Sequence, residues 1–88
     1  MIERTVTIKN RSGLHTRPAA TLVKTAARFD SEFYIRKDSF EINGKSIIGV
    51  MTLAAEQGST LHLSFTGSDE AEMADAVTKL FDEGFGET

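Results

Sequence analysis

The chain has 88 residues, a formal net charge of −3, no cysteine and one proline. That length builds one domain, expected over 1–88, with walls too thin for a deep enclosed cleft, so any chemistry is expected at the surface. Without cysteine there is no disulfide and no thiolate metal site. The Lys and Arg residues form no basic run for nucleic acid, and no apolar run approaches the roughly 20 residues of a membrane helix.

Ile2, Val6 and Ile8 alternate with Glu3, Thr5, Thr7 and Lys9, which reads as a half-buried strand interrupted by Arg4. Its mixed charges argue against a signal peptide, and a soluble, cytoplasmic chain is expected. Asn10 to Gly13 is turn chemistry. Thr16-Arg17-Pro18 then opens a helix, with Thr16 as N-cap and Pro18 in the first turn. Ala19, Leu22, Val23, Ala26 and Ala27 give this helix its apolar face.

Phe33 and Ile35 alternate with Tyr34 and Arg36 in a second strand. Phe40 and Ile42 flank Glu41 in a third, and Lys37-Asp38-Ser39 turns between them as a hairpin. Ser46 begins the apolar segment Ile47–Leu53. Periodicity does not separate strand from helix there, but the Ser N-cap and the Ala54-Ala55-Glu56 continuation favour a short helix. Leu61, Leu63 and Phe65 alternate with His62, Ser64 and Thr66 in the clearest strand. After Gly67, Ser68 or Asp69 caps a last helix, with Asp69 and Glu72 at capping-box spacing. Met73, Ala74, Val77, Leu80 and Phe81 form its buried face, and Gly84 fits a C-cap.

The order β-α-β-β-α-β-α gives an α+β fold. Four alternating strands and three striped helices share one core most simply as an antiparallel sheet with the helices on one face. Thr5, Thr7, Tyr34, His62 and Ser64 would line the other face, toward water.

Chemistry concentrates at Gly13-Leu14-His15-Thr16-Arg17-Pro18. A helix start offers unpaired N–H groups and partial positive charge to an anion, and with no N–H on Pro18 the donors would be those of Thr16 and Arg17. Arg17 adds a planar donor fork matched to phosphate oxygens. His15 adds an imidazole, a residue type available as a nucleophile around neutral pH. On position alone a surface histidine beside a helix cap is the simpler reading. The combination of Gly, His, cap, Arg and Pro favours phosphoryl acceptance.

The run Gly13 to Ala20 resembles the active-site signature of the histidine phosphocarrier (HPr) family of the bacterial phosphotransferase system. A second stretch, Lys45-Ser46-Ile47-Ile48-Gly49-Val50-Met51, is similar to that family's regulatory-serine segment, and the resemblance runs essentially end to end. It implies an open-faced β-sandwich and a carrier rather than an enzyme. Enzyme I, charged by phosphoenolpyruvate, would phosphorylate His15 at Nδ1, with Arg17 stabilising the group in transfer. A-type proteins of a sugar or nitrogen branch would receive it. An ATP-dependent kinase/phosphorylase acting on Ser46 and a transcription regulator are further implied partners, and a regulatory paralogue or a nitrogen-branch member is the alternative within the family. The resemblance also places some of Ile47, Ile48 and Met51 on a docking patch. From the residues alone, core packing is the better reading for each of the three, with at least one facing inward.

Neither a metal nor a cofactor is expected, since the two histidines lack a supporting carboxylate pattern. The protein is expected to be a monomer. His62 reads as a solvated strand residue. Asp38-Ser39-Phe40 looks like the prosthetic-group site of acyl carriers, but Ser39 falls in a hairpin turn rather than at a helix start. An RNA-binding module would need a basic or aromatic face that the sequence lacks.

Overall fold

The computed structural model describes residues 1–87. The elements are β1 (Ile2–Thr7), α1 (Thr16–Ala26), β2 (Glu32–Lys37), β3 (Phe40–Asn43), α2 (Ile47–Thr52), β4 (Thr60–Thr66) and α3 (Glu70–Asp82). A short turn of 3₁₀ type over Gly84–Gly86 follows. The strands form one antiparallel sheet in the order β1-β4-β2-β3. The last strand therefore enters between the first and second, and it carries most of the cross-strand pairing.

Side-chain alternation puts Val6, Phe33, Ile35, Leu61, Leu63 and Phe65 on the covered face, all of them buried. Phe33 and Phe65 are register partners, and their rings stack with centroids 4.8 Å apart. Such a pair contributes roughly 0.5–1.5 kcal/mol beyond its buried area. From the helices, Ala19, Leu22 and Ala26 of α1, Val50 of α2, and Met73, Ala74, Val77 and Phe81 of α3 close the core. The alanines let α1 and α3 approach each other closely.

Several local expectations change. The residue capping α1 is His15, and Thr16 is its first helical residue. Ala27 is exposed, because the helix stops at Ala26 and Ala27 is only its C-cap; Val23 and Leu80 are half-buried. The continuation of α2 into Ala54-Ala55-Glu56 does not form. Thr52 is the last helical residue, and Ala54 has φ 51°, a left-handed conformation that turns the chain away. Asp69 caps α3 by position but not with its side chain. Its carboxylate instead accepts the backbone N–H groups of Asp30 and Ser31, each at 2.9 Å, and the Ser31 hydroxyl. Asp69 thus ties the start of α3 to the turn before β2. Gly84 does follow the C-cap of α3, with φ 59°.

The Ser31 hydroxyl and the Asp30 N–H, against a smaller opposing effect of burial, hold the Asp69 carboxyl below its ordinary 3.8. A lowered folded-state pKa stabilises the fold above the unfolded value and loses that effect as pH falls through the folded one. Asp69→Asn should therefore lower the urea midpoint at neutral pH. The gap to the parent should close well below pH 3.8, where the parent's carboxyl is protonated too. Urea titrations of both proteins across that range check it; a gap of constant size would show that the charge is not the source.

Candidate functional site

The segment before α1 is fixed from both sides. Asn10 is only 2% exposed, and its carbonyl accepts the Gly13 N–H at 3.2 Å while its side-chain NH₂ donates to the Gly13 carbonyl at 2.9 Å. The NH₂ orientation is set by its neighbours. Turned over, the amide oxygen would face the Gly13 carbonyl and a carboxylate. Gly13 has φ 65° and lies so near the Ala55 carbonyl oxygen that a Cβ would overlap it. Leu14 follows, buried, with its N–H donating to that same carbonyl at 2.9 Å.

With Leu14 anchored, the next residue points outward. His15 is exposed, has extended backbone (φ −76°, ψ −174°), and makes no side-chain capping bond. Its carbonyl takes the Ala19 N–H at 2.8 Å and starts the helical ladder. The N–H groups of Thr16 and Arg17 at the head of the helix lie beside it, and Pro18 has none to add. His15 shares a hollow of about 230 Å³ with Ser12, Leu14, Met51, Ala54, Ala55 and Glu56. The exposed Arg17 lies in a second, shallower hollow with Arg11, Ser12, Phe85, Gly86 and Glu87.

Ser46 caps α2, its hydroxyl oxygen accepting the Gly49 N–H at 3.1 Å. The core-packing reading of the three apolar residues after it is wrong. Ile47, Ile48 and Met51 are 37%, 75% and 43% exposed, and Val50 and Leu53 supply the inward contacts of this segment. The six-residue helix is only about 9 Å long. Met51, on its last turn, reaches the hollow that holds His15, whereas Ser46 and Ile47 stand at the far end. His62 lies on the open sheet face beside Thr5, remote from this region, with its Nδ1 3.3 Å from the threonine hydroxyl.

Three participants are not evident in the sequence as functional residues: Asn10, Ser12 and Glu87. Glu87 accepts hydrogen bonds from the Ser12 hydroxyl at 2.6 Å and from the Asn10 NH₂ at 3.1 Å. Those two bonds, Ser12's first, together with Arg17's charge across the hollow, hold the Glu87 carboxyl below its ordinary range. Asn10 followed by Gly13 is a recognisable turn pattern. Nothing local announces a partner 77 residues away.

The sequence model of the family described as PTS HPr component phosphorylation site matches residues 2–83. The chain belongs to the HPr family. The phosphocarrier protein HPr of Treponema pallidum is 45% identical over 87 residues, 99% of each chain. The HPr-like protein Crh of Halalkalibacterium halodurans is 43% identical over 83 residues, 94% of this chain and 99% of its own. The crystal structure of HPr-C-His from Thermoanaerobacter tengcongensis matches with a TM-score of 0.97 at 45% identity, over 100% of this chain and 99% of that one. The open-faced sandwich is thus the family fold, and the HPr family is one of phosphocarriers of the phosphotransferase system rather than of enzymes. Among the described residues, no helix is long and apolar enough to cross a membrane.

The close approach of Gly13 to Ala55 makes a sharp prediction for the HPr loop. Gly13→Ala should cost at least about 1–2 kcal/mol from its left-handed backbone alone. It should also loosen the Leu14 N–H to Ala55 bond. Urea denaturation and amide exchange at Leu14 check both effects; parent-like stability and protection would mean that the loop does not depend on the glycine.

Proposed function

We propose that this HPr-family protein takes a phosphoryl group from phospho-enzyme I onto His15 and passes it to A-type proteins of the phosphotransferase system. The observation that carries the reading is His15 itself: an exposed imidazole at the head of α1, committed to no capping bond, with Arg17 two residues on. A lone pair on the ring attacks phosphorus as the donor's P–N bond breaks. The acceptor ring gives up the hydrogen on its other nitrogen, and the departing donor ring regains one, so charge balances. The Arg17 guanidinium and the N–H groups of Thr16 and Arg17 are suited to hold the phosphoryl oxygens meanwhile. An open site is what this exchange needs, since donor and acceptor must each bring a reacting group to within a few ångströms.

Ile47, Ile48 and Met51 serve in this reading as the docking patch. Exposed apolar side chains next to a reactive group favour contact with a partner, and Met adapts to more than one. Ser46 is the regulatory phosphorylation site. A phosphate there sits at a helix start that tolerates negative charge, so it changes the docking surface without unfolding α2. The Crh-like relative brings a mainly regulatory role into view, but an exposed His15 beside Arg17 favours transfer.

Incubation with enzyme I, phosphoenolpyruvate and magnesium should add one acid-labile phosphoryl group by intact mass. His15→Ala should abolish the adduct and alter stability by no more than about 0.5 kcal/mol, as for other exposed positions. An adduct surviving in His15→Ala would move the acceptor elsewhere. Ser46 separates cap from charge in a second test. Ser46→Asp keeps an N-cap oxygen and adds charge, and it should slow phosphoryl acceptance with little loss of stability. Ser46→Ala loses the cap, about 1 kcal/mol, and should transfer at the parent rate. Equal transfer rates in both variants would remove Ser46 from regulation.

A further inference from the structure

Of the residues that border the His15 hollow, Glu56 alone brings a negative charge. Its backbone is fixed. The Glu56 N–H donates to the Ser59 hydroxyl at 3.1 Å, and its carbonyl accepts the Ser59 N–H at 2.9 Å. Its Cα lies against the His15 loop, where a Cβ on Gly13 would come within 3.0 Å of it. The carboxylate has no such tie: among the described residues it takes no hydrogen bond and no ion pair. Other polar groups of the hollow are occupied. The Ser12 hydroxyl donates to Glu87, and the Ala55 carbonyl accepts the Leu14 N–H.

The two sides of His15 differ in charge. The neighbouring hollow, which shares Ser12 with this one, carries Arg11 and Arg17 against a single carboxylate. A neutral imidazole has one N–H and one lone pair. Cations favour the lone pair on their side, and a carboxylate favours the N–H on its own. With the N–H turned toward Glu56, the lone pair is presented where Arg17 can receive a phosphoryl group. As that lone pair forms the N–P bond, the donor's P–N bond returns its electron pair to the donor ring, and positive charge develops on the His15 ring. A carboxylate on the ring N–H stabilises that charge until the proton leaves. The apolar wall of Leu14, Met51 and Ala55 limits screening on this side. Bonds of this kind tighten once a partner covers the site.

We propose that Glu56 is a positioning residue for phosphoryl transfer: its carboxylate faces the N–H of the His15 ring nitrogen that does not take the phosphoryl group, and so presents the lone pair of the other nitrogen toward Arg17. The proposal rests on His15 being the acceptor. With Nδ1 as the attacking atom, the N–H that Glu56 selects is on Nε2.

The test uses the full chain. In alkaline solution, where imidazole is neutral, the ring ¹⁵N signals of His15 report how the N–H divides between Nδ1 and Nε2. In Glu56→Ala the two signals should move toward each other as the tautomers mix. In single turnovers with phospho-enzyme I, the saturating rate of adduct formation should fall about three- to tenfold, what one hydrogen bond contributes, with KM unchanged. Glu56→Gln keeps an acceptor oxygen without the charge and should fall between parent and Glu56→Ala in both readouts. Glu41→Gln removes the same charge from the open sheet face and should match the parent. Ring signals in Glu56→Ala that superpose on the parent's, or a loss confined to KM, overturn the positioning role and leave the carrier reading standing. A parent chain that takes no adduct on His15 overturns that reading, and the role of Glu56 in transfer with it.

Discussion

The bond from the Leu14 N–H to the Ala55 carbonyl is the contact on which the functional end of this molecule depends. It joins the loop before α1 to the chain after α2, and it forms only because two unusual backbones meet. Gly13 is left-handed and has no Cβ to keep Ala55 away; Ala54 is left-handed and turns the Ala55 carbonyl toward the loop. Leu14 then sinks into the core, and the alternation of an extended chain leaves His15 outside. The His15 side chain is thus placed at the surface by its neighbours' contacts, with no capping bond of its own. That keeps the imidazole free for chemistry while its backbone is fixed at the first turn of α1.

The same arrangement explains how α2 is used. A six-residue helix is too short to stand by propensity, so tertiary contacts and its cap must hold it. Val50 and Leu53 face inward, and the Ser46 hydroxyl satisfies the Gly49 N–H. Its remaining apolar residues are thereby left outside. Ile48, three-quarters exposed, contributes nothing visible to folding. The left-handed Ala54 and the exposed isoleucines are departures from local rules, and both lie on the segment that borders His15. Such departures are expected where a structure serves function as well as folding.

Much of the fold was legible because it is written in local periodicity. The alternation of Leu61, Leu63 and Phe65, the stripe of α3, the Ser46 cap and Gly84 all act within a few residues of themselves. The candidate loop stood out by resemblance and by residue type, since His, Arg and a helix start together suit a phosphoryl group. What was hidden lies in pairings across the chain. His15 rather than Thr16 caps α1 because Leu14's anchor decides where the helix begins. Asp69 looked like half of a capping box, yet its carboxylate found the N–H groups of Asp30 and Ser31, which are 39 and 38 residues away. Ile47, Ile48 and Met51 have core-like composition, and only the placement of Val50 shows that the inward positions were already taken.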